Sequence, residues 1–348
     1  MPQTRRQNKN ATAGKEGEVR QAADISKRAW VLVAFCGLVL LGQGAAADTI
    51  TVGAIKFGTV NWELDVIKHH GLDKAEGSEI ELLPLANKSA TAVALQAGEA
   101  DVIVTDWIWV ARQRAEGRAF SFAPYSTALG ALMVPADSPI DGLDSLRGKS
   151  LGIAGGPLDK SWLLLQGLAA EAHGFDADKE VDKVFAAAPL LNEQILAGRV
   201  DAVLNYWHYA ARLEAAGLRR VMGVEEIARK LGIETAVPLV GYVFDEDWAA
   251  ANTEDLQAFL RATRKAKAIL AESDAEWERL RPLMKVTDEA TFEALRDHYR
   301  AGIPKSWGEA ERTDAARLFA LLAERGGKKL VGSATEVPEG TFWPGFTF

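Results

Sequence analysis

The sequence predicts an α/β protein built from two similar lobes, and three features of the chain support this fold class. Short β-rich segments alternate with longer helical ones up to about residue 245, which is the pattern of parallel sheets covered by helices. One stretch of sequence recurs at a spacing of one hundred residues. From residue 247 onward the pattern is almost wholly helical. We therefore expect two parallel-sheet lobes and a helical C-terminal region.

The first 47 residues are predicted to be a leader and a secretory signal peptide. Lys27 and Arg28 precede an apolar run over residues 29–41, and small residues follow up to Ala47. This is the order of charged, apolar and cleavage regions in a signal peptide. The apolar run is short for a membrane span. We expect cleavage near Ala47 and a periplasmic mature protein.

Composition limits the classes of partner. The 348 residues carry a formal net charge of −8, and cleavage would remove seven of the 40 Lys and Arg but only three of the 48 Asp and Glu. An acidic mature chain argues against nucleic acid or an anionic membrane surface as partner. The single cysteine, Cys36, lies in the predicted signal, so the mature chain has no disulfide.

The repeat aligns residues 95–112 with residues 195–212 without a gap. The identical positions are Ala97 and Ala197, Gly98 and Gly198, Asp101 and Asp201, Trp107 and Trp207, Ala111 and Ala211, and Arg112 and Arg212. Each copy is typical of a helix that ends at a glycine, a strand, and a loop whose tryptophan opens another helix. The repeat predicts that the two lobes share one topology.

Aromatic residues are concentrated after the predicted strands. Four strand ends read "KFGTVNWE", "TDWIW", "GGPLDKSW" and "NYWHY", and they carry Trp62, Trp107, Trp109, Trp162 and Trp207. Ligands of open α/β sheets bind outside the carboxyl ends of the strands. Each tryptophan taken alone is as consistent with core packing. Five at four corresponding strand ends favour a shared ligand cleft.

The segment "GGPLDKSWLLL" joins a predicted strand to a helix through two glycines. The free N–H groups and the positive dipole end of such a helix face the space beyond the strand. The motif therefore indicates a site for a polar or anionic group, although ordinary α/β connections share this form.

These segments resemble the periplasmic solute-binding proteins of ABC importers, in the group that handles aliphatic sulfonates, taurine, nitrate and thiamine-precursor pyrimidines. The resemblance rests on "ITVGAIKFG", "ALQAGEADVIVTD", "ADSPIDGLDSLRGKSLGIAGG" and "LAGRVDAVLNYWHYAARLEAAG". It implies a two-lobed periplasmic binding protein fold of type II, in which the chain crosses twice between the lobes. Lobe one would take residues 48–130 and 240–348, and lobe two residues 131–239.

The resemblance also implies a ligand site and partners. The site positions carried over are Lys56, Asn61, Trp62, Asp106, Trp107, Gly156, Asp159, Lys160, Ser161, Trp162, Asn205, Trp207, His208 and Tyr242. The implied partners are a small-molecule ligand and an ABC permease with its ATPase in the inner membrane. A monomer without cofactor, resident metal or catalytic residues is expected. A carboxylate aimed at a bare inorganic anion is costly, so Asp159 favours an organic ligand with an aromatic, cationic or zwitterionic part.

An enzyme is one alternative, because the same fold includes proteins that act on pyrimidine-like substrates with a lysine, a histidine and a cysteine-rich metal motif. The mature chain has no cysteine, which removes that version of the chemistry. His208, beside Trp207, is the best single titratable candidate. No nucleophile with a paired base can be placed next to it from the sequence.

A metal or metal-chelate binding protein is the other alternative. Glu63, Asp65, Asp106 and Asp159 could converge as hard oxygen ligands, and His69 with His70 could form a metal pair. The plainer interpretations are that Asp106 and Asp159 cap helices and that the two histidines lie at a solvated helix end. The plainer interpretations are favoured.

Export yields a direct prediction. The charged segment, apolar run and alanine triplet should direct cleavage so that the mature chain begins at Asp48. N-terminal sequencing of the protein from the native cell envelope tests this. Recovery of residues 29–41 in a membrane fraction would indicate an anchored protein instead.

Overall fold

The structure is a computed structural model that describes residues 49–346. The predicted leader, signal peptide and cleavage site lie outside these residues. The first part of the described chain alternates strands and helices: β1 (Thr49–Ile55), α1 (Val60–His70), α2 (Leu72–Glu76), β2 (Glu79–Leu85), α3 (Lys88–Ala97), β3 (Val102–Asp106), α4 (Trp107–Ala115) and β4 (Phe120–Ser126).

The chain continues with a second alternating part and a helical end. The second part consists of β5 (Ala131–Val134), β6 (Ser150–Ala154), α5 (Lys160–His173), α6 (Ala177–Glu180), β7 (Asp182–Ala186), α7 (Ala188–Leu196), β8 (Ala202–Asn205), α8 (Trp207–Ala215), β9 (Arg219–Gly223) and α9 (Val224–Lys230). The last part consists of β10 (Val240–Asp245), α10 (Glu246–Ala251), α11 (Thr253–Glu272), α12 (Asp274–Met284), α13 (Glu289–Ala301) and α14 (Glu309–Val331).

The strands form two five-stranded sheets of the same design. The first has the order β2-β1-β3-β10-β4 and the second the order β7-β6-β8-β5-β9. β1 runs parallel to β2 and β3, and β6 runs parallel to β7 and β8. The alternation of strands and helices is confirmed. The exact lobe boundaries within the connecting segments stay a prediction.

One strand of each sheet departs from the expected parallel arrangement. β10 is antiparallel to β3 and β4, and β5 is antiparallel to β8 and β9. The reason is topological. The chain leaves the carboxyl edge of the first sheet after β4 and enters the second sheet from that sheet's carboxyl edge, so β5 must run against its neighbours. The return crossing imposes the same direction on β10.

The repeated aspartates explain part of the sequence repeat. Asp101 Oδ2 accepts the N–H of Thr51 at 2.8 Å, and Asp201 Oδ2 accepts the N–H of Ser150 at 2.8 Å. The backbone N–H of each aspartate returns a bond to the carbonyl of the same partner. Each aspartate lies just before one strand, β3 or β8, and binds the backbone of the neighbouring strand, β1 or β6. The two contacts occupy equivalent places in the two sheets.

Helices α11 and α12 belong to the apolar core of the first sheet. Phe259 and Leu270 of α11 and Trp277 of α12 are fully buried in one apolar cluster with Ile50 and Val52 of β1. No helix among residues 49–346 is both long enough and apolar enough to cross a membrane.

The Asp201 contact yields a stability prediction. Hydrogen bonds from Ser150 hold the pKa of Asp201 below its ordinary value. A lowered folded-state pKa stabilises the fold above the unfolded-state pKa, and this contribution is lost as the pH falls through the folded-state pKa. We expect Asp201→Ala to cost about 1 kcal/mol at neutral pH, and the cost to shrink in acid. Urea unfolding at pH 7 and at about pH 3 measures both values.

Asp182→Ala is the matched control, because Asp182 is an exposed carboxylate on the neighbouring strand β7. It should change the unfolding free energy by less than about 0.5 kcal/mol. An equal effect of the two substitutions would contradict the role given to Asp201.

Candidate functional site

The candidate site lies where the strand ends of the two sheets meet. Asp106 is the last residue of β3 in the first sheet, and Lys160 is the first residue of α5, which follows β6 in the second sheet. The Lys160 Nζ atom lies 3.0 Å from Asp106 Oδ2. Two of the predicted site residues, one from each sheet, are therefore in direct contact.

The two carboxylate oxygens of Asp106 bind different partners. Oδ1 accepts the N–H of Trp109 at 2.9 Å and caps α4. Oδ2 accepts from Lys160 and also from Lys88, the first residue of α3. Burial alone would raise the pKa of this carboxyl, but the two lysines hold it well below the usual range. The N-cap interpretation of Asp106 is confirmed, and the side chain also carries a full negative charge at neutral pH.

The Lys–Asp–Lys cluster (Lys88, Asp106, Lys160) has two cations for one anion. Burial raises the cost of charging both lysines, and for Lys160 the attraction of Asp106 outweighs that cost and raises the pKa. For Lys88, burial and the repulsion of Lys160 prevail and lower the pKa. The Lys88 side chain is half exposed, whereas Asp106 is 6% exposed. The cluster can therefore offer N–H donors and an excess positive charge to an incoming group.

The turn before α5 places a second carboxylate nearby. Asp159 Oδ1 accepts the N–H groups of Ser161 at 3.0 Å and Trp162 at 3.4 Å, which confirms the N-cap interpretation. Burial raises the pKa of Asp159 despite the attraction of Lys160. Burial and Asp159 together raise the pKa of Tyr206, which also senses Asp106. The Tyr206 hydroxyl therefore lies close to the glycine turn and to Asp159.

The glycines of this turn have a backbone role. Gly155 has φ +82° and Gly156 has φ +95°, a region that side chains other than glycine rarely adopt. A Cβ atom on Gly155 would lie 2.4 Å from Tyr206 Oη and 2.7 Å from Asp159 Oδ2. Gly156 was predicted as a ligand-site residue. Since its own backbone excludes a side chain, a bulky substitution there would strain the turn as well as affect a ligand.

An aromatic bridge forms the second contact between strand ends. Trp62 of α1 and Trp207 of α8 meet edge to face, with ring centroids 6.1 Å apart. Trp277 and Tyr299 pack against Trp62 at 5.9 Å and 6.0 Å. Trp62 is 6% exposed, and Trp207 is partly buried. The bridge repeats the pattern of the Lys–Asp–Lys cluster, because it also joins a helix of one sheet to a helix of the other.

Trp107 and Trp162, two of the predicted site residues, have no exposed face for a ligand in this structure. Trp107 is fully buried in the core and meets Phe342 at a centroid distance of 5.5 Å. Trp162 is also fully buried. The repeat gives Trp107 and Trp207 equivalent backbone positions, but their surroundings differ. Phe342 covers α4, whereas α8 faces Trp62 and Tyr299.

Two predicted site residues shape the loops. The Asn61 amide donates to the carbonyls of Ile55 at 2.9 Å and Gly58 at 2.8 Å. The Asn205 amide is buried and donates to the Ala188 carbonyl at 2.9 Å and to Asn192 Oδ1 at 2.8 Å. These bonds occupy the amide N–H groups, so a ligand contact through them stays a prediction.

The remaining polar positions differ in exposure. Lys56 is exposed in the loop after β1, and Ser161 is partly buried in the first turn of α5. His208 is partly buried, and its ring contacts Trp207 and Tyr209. Burial and Arg212 lower the pKa of His208 to about 4, so the imidazole is neutral at pH 7. A ligand role for the three side chains stays a prediction.

Tyr242 lies in a buried polar network behind the aromatic bridge. Its hydroxyl donates to Glu63, which also accepts from Lys267 and, at 3.1 Å, from the Tyr299 hydroxyl. Lys267 Nζ lies 3.0 Å from Tyr242 Oη. Glu63, Tyr242 and Lys267 are all at most 5% exposed. Tyr242 therefore supports the wall of the site from within the core and has no exposed face for a ligand.

The disfavoured alternative, in which Glu63, Asp65, Asp106 and Asp159 converge on a metal, does not match the described residues. Glu63 is bound to Lys267, and Asp65 lies 2.5 Å from the Arg279 guanidinium. Asp106 is bound to its two lysines. Each of these carboxylates faces a cation of the chain, which explains why acidic residues at predicted strand ends do not by themselves indicate a metal.

A cavity of about 300 Å³ lies beside the two segments that connect the sheets. Its lining includes residues 127–129 of the first crossing and residues 233–237 of the second, together with Trp207 and His298. Volumes of this size are at the lower end for small-ligand pockets. Of the predicted site residues, Trp207 alone lines it.

The family model described as NMT1/THI5 like matches residues 66–276, more than half of the chain. The chain belongs to the NMT1/THI5-like family. No curated protein matches the sequence.

Solved structures show the fold of this NMT1/THI5-like protein. It is similar to the periplasmic aliphatic sulphonate-binding protein SsuA of Escherichia coli, with a TM-score of 0.68 and 18% identity over 86% of this chain and 98% of SsuA. The alkanesulfonate-binding SsuA of Xanthomonas axonopodis pv. citri, bound to MOPS, gives a TM-score of 0.64 and 16% identity over 85% and 98%. The nitrate-binding protein NrtA of Synechocystis PCC 6803 gives 0.54 and 14% over 72% and 70%. The predicted two-lobed periplasmic binding protein fold of type II is confirmed.

Sequence reasoning missed two residues at the meeting strand ends. Lys88 follows Asn87, which caps α3 just after β2, so the same strand-end argument applied to β2 would have found it. Tyr206 lies between two predicted site residues, and its contact with Asp159 depends on the glycine turn. No pattern in the sequence pairs Glu63 with Lys267, because 204 positions separate them.

The buried network yields a second stability prediction. Removing one partner of a buried ion pair leaves an uncompensated charge, and the usual cost is about 3 to 5 kcal/mol. We therefore expect Lys267→Met to destabilise the protein by this amount. The double variant Glu63→Gln with Lys267→Met should lose less than Lys267→Met alone. Chemical denaturation of the three proteins measures the difference.

Lys265→Met is the control on the same helix. Lys265 is exposed and lies 2.5 Å from Glu76 in a surface ion pair, which is worth at most about 1 kcal/mol. A similar loss for Lys265→Met and Lys267→Met would contradict the importance given to the buried pair.

Proposed function

We propose that this NMT1/THI5-like protein is the extracytoplasmic solute-binding component of an ABC importer. It captures a small organic ligand between its two lobes and delivers it to a membrane permease. One observation carries the proposal. Residues that follow strands of both sheets are in contact at two places, the Lys–Asp–Lys cluster and the pair formed by Trp62 and Trp207. Such strand ends are where α/β sheets bind ligands.

The side chains support a particular ligand chemistry. The Lys–Asp–Lys cluster has an excess positive charge, and its Lys88 side chain is half exposed. Lysine ammonium groups carry three donors each, so donors remain beyond those that Asp106 uses. We infer an anionic group on the ligand at this cluster and an aromatic or apolar part against Trp62 and Trp207. A zwitterion fits both the sequence expectation and the excess positive charge of the cluster, whereas a simple cation fits the sequence expectation alone.

The charge of Asp159 is opposed by a neighbouring cation. Burial raises the pKa of Asp159, whereas the attraction of Lys160 lowers it, and Asp159 in turn helps to raise the pKa of Lys160. An approaching anion therefore meets the Lys160 ammonium beside this carboxylate. The sulfonate-binding and nitrate-binding proteins of the same fold are described as anion binders, which is consistent with this chemistry.

The site of action and the partners belong to the same proposal. The N-terminal signal pattern indicates export, and SsuA of Escherichia coli is described as periplasmic. We infer a periplasmic, monomeric protein that meets an inner-membrane permease and its ATPase. In this proposal the neutral, partly buried His208 contacts the ligand beside Trp207 and has no part in catalysis.

Ligand binding tests the proposal. Thermal-shift screening against sulfonates, carboxylates, amino acids, pyrimidines and simple amines should identify an organic anion or zwitterion, and calorimetry should then measure its affinity. We expect Lys88→Gln to weaken binding roughly tenfold or more, because a charged hydrogen bond is lost. Trp207→Ala should weaken it about ten- to thirtyfold through lost aromatic contact.

Lys179→Gln is the matched control. Lys179 is 81% exposed and pairs with Asp176 at 2.8 Å on α6, so the substitution makes the same change in charge away from the strand ends. Its affinity should equal that of the unmodified protein. Unchanged affinity in Lys88→Gln and Trp207→Ala would place the ligand elsewhere, and a preference for simple amines would reverse the assigned ligand charge.

A further inference from the structure

Two histidines and a carboxylate meet on the outer surface of the first sheet's helices. His69 and His70 are the last two residues of α1, and Glu276 lies in the first turn of α12. One ligand atom from each lies within 4.8 Å of the other two, and this is the sole such group among residues 49–346. His70 Nε2 is 3.1 Å from Glu276 Oε2. The ring centroids of the two histidines are 4.9 Å apart.

The carboxylate of this group is buried and oriented. Glu276 is 8% exposed at its side chain. Arg279 donates to Oε1 through Nε at 2.9 Å and through Nη2 at 2.6 Å, so Oε2 is directed toward His70. A carboxylate oxygen that is held in one orientation is a suitable metal ligand.

The local charges also favour a cation. Arg279 lies 2.5 Å from Asp65 as well as 2.6 Å from Glu276, so two carboxylates share one guanidinium. Lys68, on the same turn of α1, is directed to Asp73 at 2.8 Å. When both imidazoles are neutral, Asp65, Glu276 and Arg279 together carry one excess negative charge beside the two histidines.

The end of α1 adds to this field. α1 ends at His70, and Gly71 follows in the left-handed conformation. The carboxyl end of a helix carries partial negative charge and favours a cation. A histidine at this position interacts with the helix end even without a metal, but the adjacent imidazole and the buried carboxylate complete a three-ligand set that a simple ion pair does not need.

We propose that His69, His70 and Glu276 bind a divalent transition-metal ion, of which zinc is the best match. Two imidazoles and one carboxylate are a ligand set that zinc accepts, with water in the fourth position. Nitrogen ligands select against Mg²⁺ and Ca²⁺. The ion would link α1 to α12, whose ligand residues are 206 positions apart. The sequence favoured a solvated helix end here because it could not show Glu276.

Calorimetric titration of the metal-free protein with zinc chloride tests the site, in protein that carries no histidine tag. We expect one zinc ion per chain, and thermal shift should show zinc raising the melting temperature because binding stabilises the folded state. His69→Ala and His70→Ala should each weaken zinc binding at least tenfold. Both histidines are exposed, so these variants should fold normally, as thermal shift without zinc verifies.

His173→Ala is the control, because His173 pairs with Asp144 at 2.8 Å and is separate from the group. It should bind zinc as tightly as the unmodified protein. Magnesium chloride should give no stoichiometric binding. The proposal is overturned if the unmodified protein shows no one-to-one zinc binding, or if His69→Ala and His70→Ala retain its affinity. Ligand binding at the strand ends is measured separately, so neither result depends on the proposed function.

Discussion

The carboxylate of Asp106 connects the local structure, the contact between the sheets and the electrostatics of the cleft. One oxygen caps α4, and the other accepts from Lys88 of the first sheet's helices and Lys160 of the second. Loss of this carboxylate would leave two lysines facing each other, with Asp159 beside Lys160 as the remaining negative charge. The positions of α3, α4 and α5 therefore depend on one side chain. The same side chain sets the net charge of the cluster that a ligand would meet, because it offsets one of the two lysines.

Much of the fold could be predicted, because the repeat and the strand–helix alternation are local patterns. The equivalent roles of Asp101 and Asp201 show that the repeat reflects one backbone arrangement used twice. The antiparallel strands β5 and β10 were not expected, since strand direction depends on which edge of a sheet the chain enters. That information lies in the path of the whole chain and not in any one segment.

The candidate site was only partly predictable, for a related reason. The end of a predicted strand gave the position of Asp106, Asp159 and Trp207 in the fold. The side chains that pack on these residues come from distant segments of the chain. Phe342 buries Trp107, whereas Trp62 meets Trp207, so two tryptophans that look equivalent in the sequence have different surroundings. The strand ends are where open α/β sheets bind ligands, but the partner of each side chain had to be taken from the structure.

The order of strands in the first sheet has a consequence for biosynthesis. β10 lies between β3 and β4, so those two strands cannot pair with each other, and the sheet stays incomplete until residue 245 has been made. The second sheet uses only strands from residues 131–223, an uninterrupted segment. As the chain emerges from a ribosome or a translocation channel, the second sheet is the first that can be completed, although its strands come later in the sequence. The half of the protein that begins the described chain is therefore the half that finishes folding last.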